Sequence, residues 1–254
     1  MGVNFLLLSH HPADHQKFDR MFFYPHWYHW ARENFVLGKT SSNKVYKWSC
    51  LNGNPRNHRI YNYFYSKQQP YFESAYFTFH NFYVSRDDDV TLPGEALDFW
   101  NSIKDSIPSR QRIHIDKIRP DARCDLPANT DAYIHLVTET TVIPRLFVSE
   151  KTWKPIASGQ IFLVFGNPGV IGYLRSQGVD VFDDLIDHSY DFVDDWQQRL
   201  HLIHRQLKQL INKDLKDIYI ATHARRQTNS EKFFLGAFDQ QYQQTITQCI
   251  NMLS

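Results

Sequence analysis

Cysteine is scarce in this chain. Its 254 residues include three cysteines, Cys50, Cys124 and Cys249. They are widely spaced and form no C-x-x-C pair, so the sequence indicates neither a disulfide framework nor a cysteine-based zinc site. A reducing compartment suits this usage, and we expect a cytoplasmic protein.

Long hydrophobic runs are also missing. No stretch approaches the roughly 18 apolar residues of a membrane-spanning helix. The first solid apolar run, residues 5–8, lacks the basic flank and the length of a signal peptide. We therefore expect a soluble protein with no membrane partner.

An excess of either charge is absent as well. The formal net charge is +1, which gives no overall attraction to nucleic acid or to acidic membranes. The chain also contains neither a G-x-S-x-G nor a G-x-x-x-x-G-K-[ST] motif. These absences disfavour a serine hydrolase of the nucleophile-elbow type and a P-loop kinase.

The composition that remains is typical of a globular protein, with 42% hydrophobic and 22% charged residues. A segment rich in proline and arginine, residues 108–127, indicates a boundary. We predict an N-terminal acceptor-side lobe, residues 1–125, and a C-terminal donor-binding lobe, residues 126–254. The aromatic residues, 15% of the chain, concentrate in the N-terminal third. Core packing explains them best, with contacts to an acceptor or to nucleic acid as the alternative.

The pattern of residues 132–165 predicts a strand, a loop, a helix and a second strand. Apolar runs at 132–137 and 161–165 predict parallel strands buried on both faces, and Ser149 is a plausible N-cap for a short helix over 150–158. Ligands of open α/β sheets bind beyond the carboxyl ends of the strands. The polar residues that follow the first strand and begin the helix are therefore expected at such a site.

These polar residues suit a sugar nucleotide. A carboxylate such as Glu150 can accept hydrogen bonds from both hydroxyls of a ribose, and Lys151 and Lys154 can neutralise a diphosphate. The alternative is that Glu150 and Lys151 only decorate the first turn of a surface helix.

A second anion site is suggested nearer the N-terminus. A strand at 45–51 and a helix over 56–66 would place Arg56, His58 and Arg59 in the first helical turn. Cations are unfavourable there unless an anion is bound, which indicates phosphate binding. Simple solvation of these side chains is the alternative.

Several of these residues resemble the donor-binding motif of the α-1,3-fucosyltransferases. The pair Glu139-Thr140, the segment 147–151 (Phe-Val-Ser-Glu-Lys), the turn 157–159 and a strand closing on Gly166 follow the family's order. The resemblance implies a GT-B fold, in which two Rossmann-like lobes enclose a donor-nucleotide cleft. It also implies donor contacts by Glu150 and Lys151, with Glu139 as the matching preceding Glu. Thr140 and Ser149, expected at the same rim of the sheet, complete the predicted donor-binding set. Phe147 and Phe162 depart from the family's usual Tyr and Pro.

A looser resemblance links residues 48–59 and 187–191 to small glycosyltransferases of bacteria and their phages. Together the two resemblances imply an inverting glycosyltransferase that uses a nucleotide-sugar donor. Its acceptor would be a glycan or a hydroxylated DNA base, as in phage DNA modification.

Inverting transfer needs a base for the acceptor hydroxyl. Asp14 and His11, in the loop after a predicted first strand at 3–8, are the candidates, and Glu73 and Glu95 remain open.

Two alternatives compete with this function. One is a non-catalytic module that binds a nucleotide or nucleic acid, with the basic segment 110–123 making the contacts. The other is a metal-dependent GT-A-type transferase that uses Asp87 and Asp89 of an Asp-Asp-Asp run. We expect donor binding without a metal ion or other cofactor.

Overall fold

The computed structural model describes residues 7–9, 21–23, 26–37, 44–79, 90–107 and 123–238, together with 247 and 251. The strands in these ranges are β1 (Leu7–Ser9), β2 (Met21–Phe23), β3 (Val36–Leu37), β4 (Tyr46–Asn52), β5 (Ala75–Phe79), β6 (Arg123–Cys124), β7 (Ala132–Thr138) and β8 (Ile161–Phe165). The helices are α1 (His26–Asn34), α2 (Asn57–Lys67), α3 (Gly94–Ile103), α4 (Pro127–Thr130), α5 (Glu150–Ala157), α6 (Val170–Ser176), α7 (Trp196–Ile211), α8 (Leu215–Ala221) and α9 (His223–Phe234). Two short 3-10 helices span Phe72–Ser74 and His188–Phe192.

The centre of the fold is a parallel sheet of four strands in the order β5-β4-β7-β8. Of these strands β4 comes first in the sequence, and β5 pairs with it on one side. The chain then crosses to the other side of β4, where β7 pairs with β4 and β8 pairs with β7. The order therefore reverses between β4 and β7, as in doubly wound sheets. The predicted α/β class is confirmed, and the sheet is compatible with a Rossmann-like fold.

Helices cover both faces of this sheet. On one face the Trp48 ring lies 6.2 Å from the His204 ring of α7, and Asn62 of α2 donates to Cys50 Sγ over 3.6 Å. On the other face Ser49 donates to the carbonyl of Ala128 in α4 over 2.7 Å. Alternate residues of β4 thus contact helices on opposite faces of the sheet, as strand geometry requires.

The aromatic residues that the structure describes in the N-terminal part contribute to the core. Tyr28 of α1 is 1% exposed, and its ring lies 4.9 Å from Trp153 of α5 and 5.5 Å from Phe233 of α9. Trp48 is fully buried. For these rings, packing is the observed role.

The lobe boundary predicted at residue 125 does not separate two sheets. β4 and β5 precede this residue and β7 and β8 follow it, yet β4 pairs with β7 along Tyr46↔Ala132 to Ser49↔His135. The composition of 108–127 indicated a linker, but composition carries no information on which strands pair across it. Among the helices described, none is long and apolar enough to cross a membrane.

Candidate functional site

The reversal of strand order brings the ends of β4 and β7 together. Thr138, the last residue of β7, donates from Oγ1 to Asn52 Oδ1 at the end of β4 over 2.7 Å. In doubly wound sheets this crevice is where ligands bind, because the adjoining loops diverge to opposite faces. Both groups of predicted site residues follow directly from these two strands.

Glu139 comes immediately after β7 and is fully buried. Its Oε1 accepts from Ser149 N at 2.9 Å and Thr152 Oγ1 at 2.6 Å. Its Oε2 accepts from Thr140 N at 3.0 Å and Ser149 Oγ at 2.5 Å. The resemblance implied a donor contact, but both oxygens are engaged inside the protein. The carboxylate holds the start of α5 against the end of β7.

The start of α5 follows the sequence-based prediction. Ser149 is the N-cap, and its side chain accepts from Lys151 N over 3.3 Å. The helix is short, and it contains Pro155. Because α5 starts beside Glu139, its first residues lie at the carboxyl edge of the sheet.

Glu150 and Lys151 form an ion pair at this edge, with Nζ 2.6 Å from Oε1. The Glu150 side chain is only 10% exposed and that of Lys151 is 33% exposed. Lys151 Nζ also donates to Thr140 Oγ1 over 3.3 Å. Burial opposes ionisation of Glu150, but the adjacent Lys151 ammonium outweighs it and lowers the pKa of this carboxyl. Glu150 is therefore an ionised, mostly buried acceptor.

Lys154 lies one turn further along α5. It is 8% exposed, with Nζ 5.9 Å from the centre of the Phe35 ring. Burial, followed by the charge of Lys154, lowers the pKa of His135 in the middle of β7 to about 3. The structure thus places Lys154 beside the body of the sheet, a turn away from Lys151.

The first turn of α2 meets the same crevice. Arg59 Nη2 donates to the main-chain oxygen of Glu139 over 2.9 Å, and His58 Nε2 donates to this oxygen over 3.0 Å. Both side chains are buried, at 4% and 1% exposure. Burial and then the charge of Arg59 hold the pKa of His58 well below its usual value, so the ring is neutral. The two predicted anion-binding segments therefore converge on Glu139.

Arg199 of α7 belongs to the same surroundings, although it is not among the predicted site residues. It is 1% exposed and donates to the main-chain oxygens of Val142 at 2.5 Å, Asp194 at 3.2 Å and Val193. It thereby holds the loop between β7 and α5. A sequence signal existed, since position 199 shares a helix face with Trp196 and Ile203.

The segment 187–191 (Asp-His-Ser-Tyr-Asp) caps the N-terminus of α6. The carboxylate of Asp191 accepts from Ile171 N at 3.1 Å and Gly172 N at 2.9 Å. His188 is buried between Tyr190 OH at 3.0 Å and Val181 O at 2.8 Å. A cleft of about 430 Å³ opens beside this segment. The contacts of the segment itself are structural.

Four predicted site residues fall outside the described ranges: the candidate bases Asp14 and His11 and the acidic residues Asp87 and Asp89 of the alternative metal site. The open candidates Glu73 and Glu95 lie in the 3-10 helix Phe72–Ser74 and in the first turn of α3. Within the part of the chain that the structure covers, no group of three or more His, Cys, Asp or Glu side chains is arranged to hold a metal ion. Metal-independent donor binding stays a prediction.

Comparison of the chain with models of protein families, with curated proteins and with solved structures finds no match.

Proposed function

We propose that this chain is an inverting glycosyltransferase that binds a nucleotide-sugar donor at the carboxyl edge of its parallel sheet. The observation that supports this most is the meeting of two segments far apart in sequence. The start of α5, which carries the Glu150–Lys151 pair, and the first turn of α2 both contact Glu139, where the strand order reverses. A carboxylate acceptor and several cations then lie together at the position where doubly wound sheets bind nucleotides.

Each group has a chemical task in this proposal. Glu150, paired with Lys151, accepts hydrogen bonds from a diol of the donor, and the cations Arg56 and Arg59 stabilise the departing diphosphate. In the reaction the acceptor oxygen bonds to the anomeric carbon and the bond from that carbon to the diphosphate breaks. The acceptor proton passes to a base, for which Asp14 and His11 stay the candidates, and the nucleoside diphosphate leaves.

We also propose a two-lobed GT-B arrangement, an acceptor that is a glycan or a hydroxylated DNA base, and a location in the cytoplasm. Because strands from both sides of residue 125 share one sheet, the donor crevice of this proposal is formed by β4 and β7 together.

A non-catalytic nucleotide-binding module is the second candidate. It is favoured by the contacts of the polar residues with each other, since Lys151 pairs with Glu150 and Glu139 is satisfied inside the protein. Such a module would bind nucleotides but transfer nothing.

Release of nucleoside diphosphate from UDP- and GDP-sugars separates the two candidates. The transferase predicts slow donor hydrolysis that falls at least about tenfold in Glu150→Gln, because the diol loses a charged acceptor. Lys208→Ala, on the exposed face of α7, is the matched surface control and should retain the rate. Thermal shift measured in parallel detects binding, since ligand at a hundred times its Kd adds about 2.7 kcal/mol of stability. Binding without turnover of any donor supports the module instead.

A further inference from the structure

The described helices α2, α5 and α6 start at the carboxyl edge of the sheet, and the starts of α5 and α6 are already occupied by anionic groups of the protein. At α5 the buried Glu139 carboxylate accepts from Ser149 N and Thr152 Oγ1. At α6 the Asp191 carboxylate accepts from Ile171 N and Gly172 N. A carboxylate at a helix start satisfies the positive end of the helix dipole and repels a second anion. A diphosphate is therefore disfavoured in front of α5 and α6.

The start of α2 has the opposite character. Arg56 occupies the N-cap position without a side-chain cap, and the first turn carries no acidic residue. Arg59 lies in the same first turn, and its Nη2 donates to the main-chain oxygen of Glu139 at the end of β7. The buried Arg59 guanidinium adds positive charge at the positive end of this helix, and this favours an anion bound there.

Arg59 itself indicates that such an anion is expected. The side chain is 4% exposed, yet its Nε has no hydrogen-bond partner. Within the ranges that the structure describes, it forms no ion pair. Buried arginines are normally paired, because an uncompensated buried charge costs several kcal/mol.

The electrostatic surroundings agree with this geometry. Burial, followed by the charge of Arg56, lowers the pKa of Arg59 to about 10, although Glu139 and Glu150 act in the opposite direction. Burial lowers the pKa of His58, and Arg59, Arg56 and Arg199 all lower it further. Positive potential thus accumulates in front of the first turn of α2.

Resting on the donor site proposed above, we propose that the diphosphate of the donor lies in front of α2, between the ends of β4 and β7. Arg56 and Arg59 bind it there. Lys151 neutralises Glu150, and the Glu150–Lys151 pair faces a hydroxyl-bearing ring of the donor, not its phosphates. This arrangement differs from the one the family resemblance implied, in which the Glu-Lys segment of α5 makes the nucleotide-sugar contacts.

Isothermal titration with inorganic pyrophosphate tests this subsite without any sugar. We expect Arg56→Ala to weaken pyrophosphate binding about tenfold or more, because a charge-assisted contact is lost. Arg59→Lys, which keeps the charge but loses the fork, should also weaken it. Lys151→Ala should change the Kd by no more than about threefold, as expected for a nearby charge without direct contact. Lys208→Ala is the control for a change of net charge alone.

Three results would overturn the subsite. They are no pyrophosphate binding by the wild-type chain at millimolar concentration, a loss in Lys151→Ala larger than in Arg56→Ala, or equal losses in Arg56→Ala and Lys208→Ala. Circular dichroism of each variant shows whether the fold is intact, and Arg56→Ala decides the matter if Arg59→Lys does not fold. The proposed function is judged separately. Donor turnover unaffected by Arg56→Ala would refute the subsite but not the transferase. Pyrophosphate binding without turnover of any donor would refute the transferase but not the subsite.

Discussion

Replacing Glu139 by Gln tests the assignment of this residue to positioning the start of α5. Each carboxylate oxygen accepts one main-chain N–H, from Ser149 at 2.9 Å or from Thr140 at 3.0 Å, and one hydroxyl. An amide group cannot accept on its nitrogen, so either orientation leaves one main-chain N–H without an acceptor. That orphaned donor costs about 1–3 kcal/mol, and the loss of charge from the remaining bonds adds about 1 kcal/mol.

Urea unfolding at neutral pH, followed by tryptophan fluorescence and by circular dichroism, measures this loss. We expect Glu139→Gln to lower the free energy of unfolding by about 2–4 kcal/mol, a large part of the usual total of about 5–15 kcal/mol. The matched control is Glu231→Gln, an exposed residue of α9 with one contact to Gln227 at 2.8 Å, which should change it by less than about 0.5 kcal/mol. A loss below about 1 kcal/mol in Glu139→Gln would refute the reasoning, because a saturated buried carboxylate must cost more than that.

Two further outcomes are expected. Gly166→Ala should lower the free energy of unfolding by about 1–3 kcal/mol, since the new Cβ would lie 3.1 Å from Glu139 Cγ. Gly172→Ala, whose Cβ would meet only Asp191 Oδ2 at 3.7 Å, should be neutral or stabilising. Thermal denaturation compares the two variants, and equal changes in their stability would contradict this prediction. Stability should also fall as the pH drops below about 6.5, because burial lowers the pKa of His135 and His204 to about 3 and only the unfolded chain then binds their protons. Each of the two contributes about 1.4 kcal/mol per pH unit to the slope near pH 5, and His204→Gln should remove its own contribution in urea titrations; an unchanged slope would count against neutral burial.

Much of the central sheet and its helices was predictable, because their sequences carry strong local signals. The run Ile161–Phe165 is buried at every position and was predicted with these bounds. Ser149 caps α5 as predicted, and α2 begins one residue after its predicted start at residue 56. Other elements gave weaker signals. Ala75–Phe79 lies in an aromatic stretch without clear periodicity, and this strand was not predicted.

The candidate site was predictable in its residues but not in their division of roles. Local sequence identified Glu150, Lys151 and the first turn of α2, yet it could not show that both meet at Glu139. That meeting depends on the pairing of β4 with β7, a long-range contact that no local pattern encodes. For the same reason the burial of the Glu139 carboxylate and of Arg199 had to come from the structure.

A crystal structure of the chain with a nucleoside diphosphate tests the central claim most directly. Our account predicts the diphosphate in front of α2, with an oxygen about 2.7–3.2 Å from a guanidinium nitrogen of Arg56 or Arg59, and a ring hydroxyl within the same reach of Glu150. A nucleotide bound elsewhere, such as the cleft beside Asp191, with no contact to these three side chains, would contradict it.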